Sequence, residues 1–524
     1  MLAYNQTDIK KQYKSPVRKL VAIFKLSRDR WKAKSKKSKK IIKRLNNRIR
    51  FLNESKSKLK NLVRELKAEL ARLKAEENIK EPEACEKDKL INDEKKNNVG
   101  NELFDIVPNN HTYTLGHIML FLLLVLSSTT SLRGASRCME IVFPFFGFQL
   151  PLPSWTAGRQ WLLRFGYYKL VRAKVIAEDW VWIVDHTVQI GPEKCLVILG
   201  IRLNDLPVAG TCVSHKDVEI IDMIPVKRSD GKIVYEQLTE ATEKTGVPRE
   251  IVGDSGPDLR AGIAKFCNEN PGTCYVYDIK HKTAAVLKQV LTKDEKWAAF
   301  VNFASRAKVK VQQTPLAPLA PPQQRSKARY MNISRLVKWG GRMLTIAENP
   351  ELQSDLKYDP QQVDSKLGQI SKYRDPLKEW QEIVRVVVTT EKYVREQGIS
   401  RDCHNGLEKL PGLEVHSEKA LNVKKQLIEF VQSESLKAKP DERLLGSSEV
   451  IESVFGKLKF LERDQAKSGV TGLLLSVGAF VSETSDQVVQ KAMEAVRTSD
   501  VSKWCKKMIG KTVQSKRKEA FNPP

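Results

Sequence analysis

Three aspartates directly follow short apolar segments, at the points where buried strands are expected to end. Asp185 follows the run Trp180 to Val184, Asp254 follows Glu250 to Gly253, and Asp278 follows Cys274 to Tyr277. An acid in this position is held at a sheet edge by rigid backbone while its carboxylate faces solvent. One aspartate at a strand end is more often a turn or a helix cap. The repetition is what predicts that the carboxylates meet at one edge.

Carboxylates gathered at one edge of a sheet are suited to metal-assisted phosphoryl transfer. Their hard oxygen atoms bind Mg2+ or Mn2+ and leave coordination positions for water and phosphate. Two ions about 4 Å apart can hold both the attacking and the leaving oxygen of an in-line displacement. We therefore expect two divalent ions per active site, with Asp185 and Asp254 among their ligands.

The third ligand is expected on a helix that crosses the sheet, and residues 446–459 offer the best candidate. An apolar stripe predicts this helix, and it consists of Val450, Ile451, Val454, Phe455 and Leu458. On one line of the same helix lie Glu449, Glu452, Gly456 and Lys459. Glu452 is the predicted ligand and Glu449 its alternative, while Asp258 is an alternative to Asp254. An ordinary surface helix with a Glu/Lys face also fits this pattern.

These motifs together resemble the DDE transposases of bacterial insertion sequences, including the group with an insertion in its RNase H-like domain. The resemblance covers about residues 175–285 and 440–480. Its motifs are the strand before Asp185, the GDSG-type strand end at Asp254, the DxxH motif from Asp278 to His281, and the spacing from Glu452 to Lys459. The sequence departs from the family's YREK signature, because Leu445 and Ser448 stand where the Tyr and Arg would be.

The resemblance implies a role for each residue of the site. Asp185 would bridge both metals, and Asp254 and Glu452 would each complete one metal site. Asp278 and His281 would be accessory catalytic residues that orient the scissile phosphate, and Lys459 would contact the DNA backbone. The implied activity is cleavage of transposon ends and strand transfer into target DNA, without a covalent protein intermediate.

The acids are far apart in sequence, so the catalytic core is expected to be interrupted. Asp254 and Glu452 are 198 residues apart, many more than a strand and a helix require. The resemblance implies an α/β fold with an RNase H-like mixed sheet flanked by helices, and the spacing predicts a domain inserted into it. Its first part is residues 173–289, its closing helices lie in 441–482, and a mainly helical insertion domain spans 290–440. Cys195 to Ile201 predicts a second strand, and Thr211 to Val213 predicts the start of the next.

The predicted insertion domain contains a basic cluster around Trp339. Its members are Arg325, Lys327, Arg329, Arg335, Lys338 and Arg342. A basic surface with an exposed aromatic side chain can follow a DNA strand and stack on an unpaired base. Trp339 is therefore a candidate DNA-binding residue, although a place in the hydrophobic core is the favoured interpretation.

Residues 112–172 predict three helices, Leu115 to Ser127, Ser131 to Val142 and Ser154 to Leu170. This arrangement suits a helix-turn-helix-like DNA-binding domain whose last helix enters the major groove. Arg159 and Arg164 on that helix would then contact DNA. A purely structural helical subdomain is the alternative.

The N-terminal segment predicts a basic arm followed by a coiled coil. Residues 1–80 contain 26 Lys or Arg and 7 Asp or Glu. The seam positions repeat every seven residues as Ile42, Ile49, Lys56, Val63 and Leu70, and as Leu45, Leu52, Leu59, Leu66 and Leu73. The arm and coiled coil would therefore span 1–80, followed by a linker at 81–111. We expect the coiled coil to form a homo-oligomer, and residues 483–524 to be a basic C-terminal tail.

The overall composition favours a polyanionic partner. The chain has 524 residues with 90 Lys or Arg against 62 Asp or Glu, a formal net charge of +28. Double-stranded DNA, as transposon ends and target, is the expected partner. Eight cysteines without a CxxC pair argue against a zinc ribbon and a disulfide framework. No apolar run approaches the roughly 20 residues of a membrane span. We expect a cytoplasmic bacterial protein, associated with the nucleoid when bound to DNA.

Three other functions are compatible with parts of the sequence. A metal-dependent nuclease of the same fold would cut DNA without joining it. A domesticated DNA-binding derivative would keep the fold without catalysis, although all three carboxylates are present. A coiled-coil scaffold with a basic arm would account for residues 1–80 but would leave the predicted sheet and its acids unexplained.

Overall fold

The computed structural model describes residues 102–188, 193–206, 211–324, 330, 333–463, 471–511 and 513–521. These residues belong to one compact unit. The predicted basic arm and coiled coil at 1–80, and most of the predicted linker at 81–111, lie outside the described residues. The same holds for Arg325, Lys327 and Arg329 of the predicted basic cluster.

Three helices and then three strands begin the described chain, two helices and two strands alternate after them, and helices alone follow the last strand. The strands are β1 Trp180–Val188, β2 Lys194–Arg202, β3 Glu219–Val226, β4 Glu250–Gly253 and β5 Cys274–Tyr277. The helices up to β5 are α1 Leu115–Leu126, α2 Leu132–Phe145, α3 Trp155–Val171, α4 Gly231–Thr245 and α5 Pro257–Glu269.

The remaining helices follow β5. Those at positions between β5 and the predicted closing helices are α6 Ile279–Thr292, α7 Glu295–Val311, α8 Ile333–Glu348, α9 Pro350–Asp355, α10 Pro360–Leu367, α11 Arg374–Gln397, α12 Cys403–Glu408 and α13 Glu418–Ser435. The last group is α14 Glu449–Arg463, α15 Ser476–Phe480, α16 Asp486–Ala495, α17 Thr498–Trp504 and α18 Val513–Phe521.

The five strands form one mixed sheet in the order β3-β2-β1-β4-β5. β1, β2 and β3 are antiparallel neighbours, whereas β4 is parallel to β1 and β5 is parallel to β4. The prediction of a mixed α/β fold is confirmed. The prediction that Thr211 to Val213 starts a strand is wrong, because these residues are irregular and the third strand begins at Glu219.

Each face of the sheet packs against its own set of helices, because side chains of a strand alternate between faces. Trp180, Trp182 and Val184 of β1 pack against the apolar sides of α4 and α5. Val181 and Ile183 belong to the larger core on the opposite face, where α14 contacts β1. Residue 185 therefore falls on the α14 face of the sheet.

The three helices predicted in residues 112–172 are confirmed, within one to three residues at each end. The last of them packs closely on the rest of the fold. α3 contacts α1, α2, β3, α15, α16 and α17, and a Cβ atom at Gly166 would lie 1.8 Å from the carbonyl oxygen of Leu475. These contacts fit the alternative of a structural helical subdomain, and entry of α3 into a DNA groove stays a prediction. Its Lys169 is also fully buried, and the Nζ atom donates to the carbonyl of Val481 at 2.6 Å.

The residues between β5 and α14 form a helical layer with its own aromatic core. α11 is central to it and contacts α6, α8 and α13. Trp380 of α11 lies 5.0 Å from the ring of Trp297 and 5.1 Å from that of Phe300. None of the helices in the described part of the chain is long and apolar enough to cross a membrane.

Candidate active site

Asp185 and Asp254 lie side by side at one edge of the sheet. Val184 of β1 and Gly253 of β4 are partners in the parallel ladder, and each aspartate is the next residue. Ile183 and Val252, two residues earlier on each strand, both face the α14 side of the sheet. The two carboxylates therefore project from neighbouring strands toward the same helix.

The charge environment of Asp185 shows how close the acids are. Burial raises the pKa of Asp185 to about 7, and the neighbouring carboxylate of Asp254 adds to this effect. Glu452 also raises the pKa, whereas the hydrogen bond from the backbone N–H of His186 and the charge of His281 lower it. The carboxylates of Asp254 and Glu452 are thus close enough to Asp185 to disfavour its charged form.

Glu452 reaches this edge from the first turns of α14. Its Oε1 atom lies 3.2 Å from Nε2 of His281, and its Oε2 atom accepts a hydrogen bond from Nζ of Lys280 at 3.2 Å. These contacts lower the pKa of Glu452, with the His281 hydrogen bond as the largest cause. The two cationic partners hold the carboxylate at the site.

Glu449, the alternative third acid, lies one turn earlier and has different partners. Its carboxylate lies 3.4 Å from Arg395 and 3.9 Å from Lys280. Glu452 acts on the pKa of Asp185, whereas Glu449 is directed toward the end of α11. The geometry favours Glu452 over Glu449.

Asp278 holds the starts of two helices together. Its carboxylate is buried, and Oδ1 accepts from the backbone N–H of His281 at 2.8 Å. Oδ2 accepts from the backbone N–H of Ser448 at 2.6 Å and from its hydroxyl at 3.0 Å. With three protein donors it has no free face for a phosphate. The predicted accessory role of Asp278 stays a prediction, and these contacts make it a positioning residue for α6 and α14.

Glu250 is a second positioning residue that the sequence reading did not single out. It is fully buried at the start of β4, and its Oε2 atom accepts from the backbone N–H of Leu445 at 3.0 Å. The backbone N–H of Ile279 also donates to the carbonyl of Gly446 at 3.1 Å. Residues 445–448 are thus tied to the sheet just before α14 begins. One feature of the sequence could have indicated that the start of α14 is held in place. Ser448, a residue type common at helix N-termini, directly precedes this helix.

Asp258 does not take part in the acidic group. It lies 2.6 Å from Nζ of Lys194 and 3.8 Å from Nδ1 of His186, which projects from the opposite face of β1 to Asp185. Burial opposes ionisation, but the hydrogen bonds from Lys194 and Ser229 lower the pKa of Asp258 to about 2. The alternative that Asp258 replaces Asp254 is wrong.

The other predicted DNA-binding residues have mixed outcomes. Lys459 is exposed two helical turns beyond Glu452. Arg164 donates from Nε to the carbonyl of Val496 at 2.6 Å and so caps α16, while Arg159 is half-buried with its guanidinium near Gly472. Trp339 is 9% exposed, and its Nε1 atom donates to the carbonyl of Leu319 at 2.9 Å. Packing contacts thus engage Arg164 and Trp339, and the DNA-binding assignments of Arg159, Arg164 and Trp339 stay predictions.

The carboxylates of Asp185, Asp254 and Glu452 are suitable ligands for a divalent metal, but they are not arranged as a complete coordination site. In the described residues, no three His, Cys, Asp or Glu side chains form a ready metal-holding group. Glu452 instead contacts Lys280 and His281. The chemistry of the donors still fits, because burial and the neighbouring acids raise the pKa of Asp185, and a cation would favour its charged form.

Comparisons with known proteins give little. No protein-family model and no curated protein matches the chain. Among solved structures, the fold is similar to a chain of the "Drosophila P element transposase strand transfer complex", with 13% identity and a TM-score of 0.33. The similarity covers 75% of this chain and 94% of that chain. At this identity and TM-score, the similarity carries no argument about function.

The raised pKa of Asp185 predicts a stabilising substitution. The folded-state pKa of about 7 lies above the ordinary value of 3.8. The free energy of unfolding therefore falls as the pH rises from about 4 to about 7, and it stays lowered above pH 7. We expect Asp185→Asn to raise the free energy of unfolding by about 2 to 4 kcal/mol at about pH 8. The gain should shrink as the pH falls toward about 4, because wild-type Asp185 is then protonated. Urea unfolding at both pH values measures it, and a gain independent of pH would contradict the electrostatic cause.

Proposed function

We propose that this protein is a DNA transposase that acts through two divalent metal ions held by Asp185, Asp254 and Glu452. The observation that carries the proposal is the convergence of these carboxylates beside β1 and β4, where burial, with Asp254 and Glu452 adding to it, raises the pKa of Asp185. The sheet order β3-β2-β1-β4-β5, with the third acid on a helix across it, supports an RNase H-like core. Residues 290–440 are the proposed insertion domain.

The chain's own residues would share the work as follows. Asp185, between Asp254 and Glu452, would provide the shared ligand of a Mg2+ or Mn2+ pair. Bound ions of this kind activate an attacking hydroxyl and stabilise the leaving oxygen. Asp254 is kept in place by its own turn, because its Oδ1 atom accepts from the backbone N–H of Gly256 at 3.0 Å.

Lys280 and His281 have a second use in this proposal. Both lie at the start of α6 and contact Glu452 at 3.2 Å. When Glu452 turns to a metal, these donors become free to bind the oxygens of the scissile phosphate. Asp278 keeps His281 in reach through the hydrogen bond to its backbone N–H. This arrangement supports the predicted catalytic role of His281 and adds Lys280 to it.

A basic groove in the proposed insertion domain supports DNA as the substrate. Lys338 and Arg342 of α8 face Arg385 of α11 across a cleft of about 550 Å³. The described residues that line this cleft include no acid. Trp339 points away from it into the core, so α8 has an apolar face and a basic face. A groove of this charge suits the phosphate backbone of DNA.

The first test of the proposal measures Mn2+-dependent nicking of a supercoiled plasmid by the full chain. We expect Asp185→Asn, Asp254→Asn and Glu452→Gln each to reduce nicking at least about 100-fold, because each removes a direct metal ligand. Asp258→Asn is the matched control, since it makes the same change on the opposite face of the sheet. It should retain nicking within about threefold.

Two outcomes would contradict the proposal. One is nicking by Asp185→Asn at the wild-type rate, and the other is equal loss in the Asp258→Asn control and the three ligand variants. Thermal unfolding of each variant verifies that it is folded. Joined products, formed when a duplex with free 3′-hydroxyl ends is added, support strand transfer. Nicked products alone would favour the metal-dependent nuclease.

The second test concerns the basic groove. We expect Lys338→Glu combined with Arg342→Glu to weaken binding of the full chain to duplex DNA, because two phosphate contacts are lost. The slope of log affinity against log salt should fall by about 1.8, at about 0.9 for each contact. Lys378→Glu is the control, because Lys378 lies on α11 and is already 3.8 Å from Asp375. An unchanged slope in the double variant would exclude the groove as a DNA contact.

A further inference from the structure

The outer side of α2 and the turn after it carry large apolar side chains that no other part of the described chain covers. Phe145 is 80% exposed, Ile141 69% and Phe146 65%. Exposed apolar residues usually occur singly, whereas a contiguous group of them marks an interaction site. We call this surface the α2 face, and it comprises Arg137, Glu140, Ile141, Phe145, Phe146 and Phe148.

Helical spacing explains how the α2 face arises. Arg137, Ile141 and Phe145 are four residues apart, so they lie along one line of α2. Met139 and Phe143 lie on the opposite side of the helix and are buried in the core. The end of α2 is therefore apolar on both sides, and the core of the chain itself uses only one of them.

The turn after α2 holds the aromatic rings in place. Gly147 has a φ of +74°, which favours glycine, and the backbone N–H of Phe148 donates to the carbonyl of Phe143 at 2.8 Å. The ring of Phe146 lies 5.1 Å from that of Phe145 and 6.4 Å from that of Phe148. The rings form one cluster that is shaped before any partner binds, so little ordering is required on binding.

The exposed area of the α2 face suits one side of a protein interface. At about 200 Å² for a whole aromatic side chain, the exposed parts of Phe145, Phe146 and Phe148 amount to roughly 370 Å², and Ile141 adds to this. One side of a standard interface covers about 800 Å², of which about 57% is apolar. The α2 face therefore offers about as much apolar surface as one side of such an interface contains.

The N-terminal segment joins the described residues beside the α2 face. Phe104, the third described residue, stacks on Phe148 with 5.9 Å between the ring centroids. Residues 1–101 precede this point, and the heptads from Ile42 to Leu73 predict pairing with the same segment of a second copy. Pairing there would raise the local concentration of one α2 face around the other. A second copy is thus the occupant that the chain itself supplies.

The charges of the α2 face also suit a second copy. Arg137 and Glu140 are both exposed and lie about one helical turn apart. In a two-fold contact the same surface occurs on both sides, so a residue that meets a second residue is met by it in return. Two α2 helices that cross antiparallel about an axis near residues 138–139 set each Arg137 against the Glu140 of the other copy.

We propose that the α2 face binds the α2 face of a second copy of this chain in a two-fold contact. The exposed aromatic cluster provides the apolar surface of the contact, and the two pairs of Arg137 and Glu140 fix the orientation of the helices. The contact is separate from the predicted coiled coil. It also does not involve the carboxylates of the proposed active site, so it does not rest on the proposed function.

Cross-linking of the full chain tests the contact at the place where it forms. Ile141→Cys introduces a thiol into the α2 face, and a short bifunctional maleimide joins two such thiols when the faces meet. We expect peptide mass spectrometry to identify cross-links between residue 141 of one copy and residue 141 of another. Ser305→Cys, at an exposed position of α7, is the matched control. It should give at least about tenfold fewer cross-links, because it measures only the local concentration of two copies held elsewhere.

Variants of the α2 face show whether its own side chains make the contact. Phe145→Glu combined with Phe146→Glu, in the Ile141→Cys background, should reduce the cross-link at least about tenfold, because charges replace the apolar surface. Both phenylalanines are exposed, and thermal unfolding verifies that the variant is folded. Arg137→Glu should also reduce the cross-link, because like charges then meet. Adding Glu140→Arg should restore it, since the exchanged pair again has opposite charges.

Three results would overturn the proposal. Cross-linking at residue 141 no faster than at residue 305 shows that the faces do not meet. A cross-link that persists after Phe145→Glu and Phe146→Glu shows that other surfaces bring the two copies together. A thiol at residue 141 that is not cross-linked, but that duplex DNA protects from alkylation, shows that the α2 face contacts DNA and not a second copy.

Discussion

The buried carboxylate of Asp278 is the interaction on which the site depends. It accepts hydrogen bonds from Ser448 and His281 and so fixes the start of α14 against the start of α6. A buried carboxylate is costly unless its oxygens are hydrogen-bonded, and here three donors meet that need. As a consequence, Glu452 stands beside Asp185 of β1 and Asp254, which directly follows β4. The same contact sets the distance between Glu452 and the donors of α6.

The long insertion is compatible with this geometry because its ends return to the sheet. Near its C-terminal end, Arg249 donates from Nε to Glu442 at 2.8 Å, and Lys437 donates to the carbonyl of Tyr275 at 2.6 Å. These contacts secure the returning chain beside β4 and β5 before residue 445. The basic groove uses a surface of α11, and Arg395 at the end of the same helix lies 3.4 Å from Glu449 of α14. α11 thus links the insertion to the helix that carries Glu452.

The sequence predicted the parts that follow from local pattern. The strand end before Asp254 and the helix with Glu452 were predicted, because apolar runs and helical spacing are local properties. The predicted strand end at Asp185 is wrong, because β1 continues to Val188 as a partner of β2. Tertiary packing decided the place of Arg164, which caps α16, and Trp339 lies in an aromatic core. Asp278 and Glu250 became positioning residues because their partners, Ser448 and Leu445, come more than 150 residues later in the chain.

Diffraction from crystals of the full chain soaked in Mn2+ tests the central claim most directly. The account predicts two anomalous peaks about 4 Å apart, with Asp185 between them and Asp254 and Glu452 at the outer sides. Glu452 should have left Lys280 and His281 to bind an ion. Ions bound only elsewhere, with Glu452 still in contact with Lys280 and His281, would contradict it.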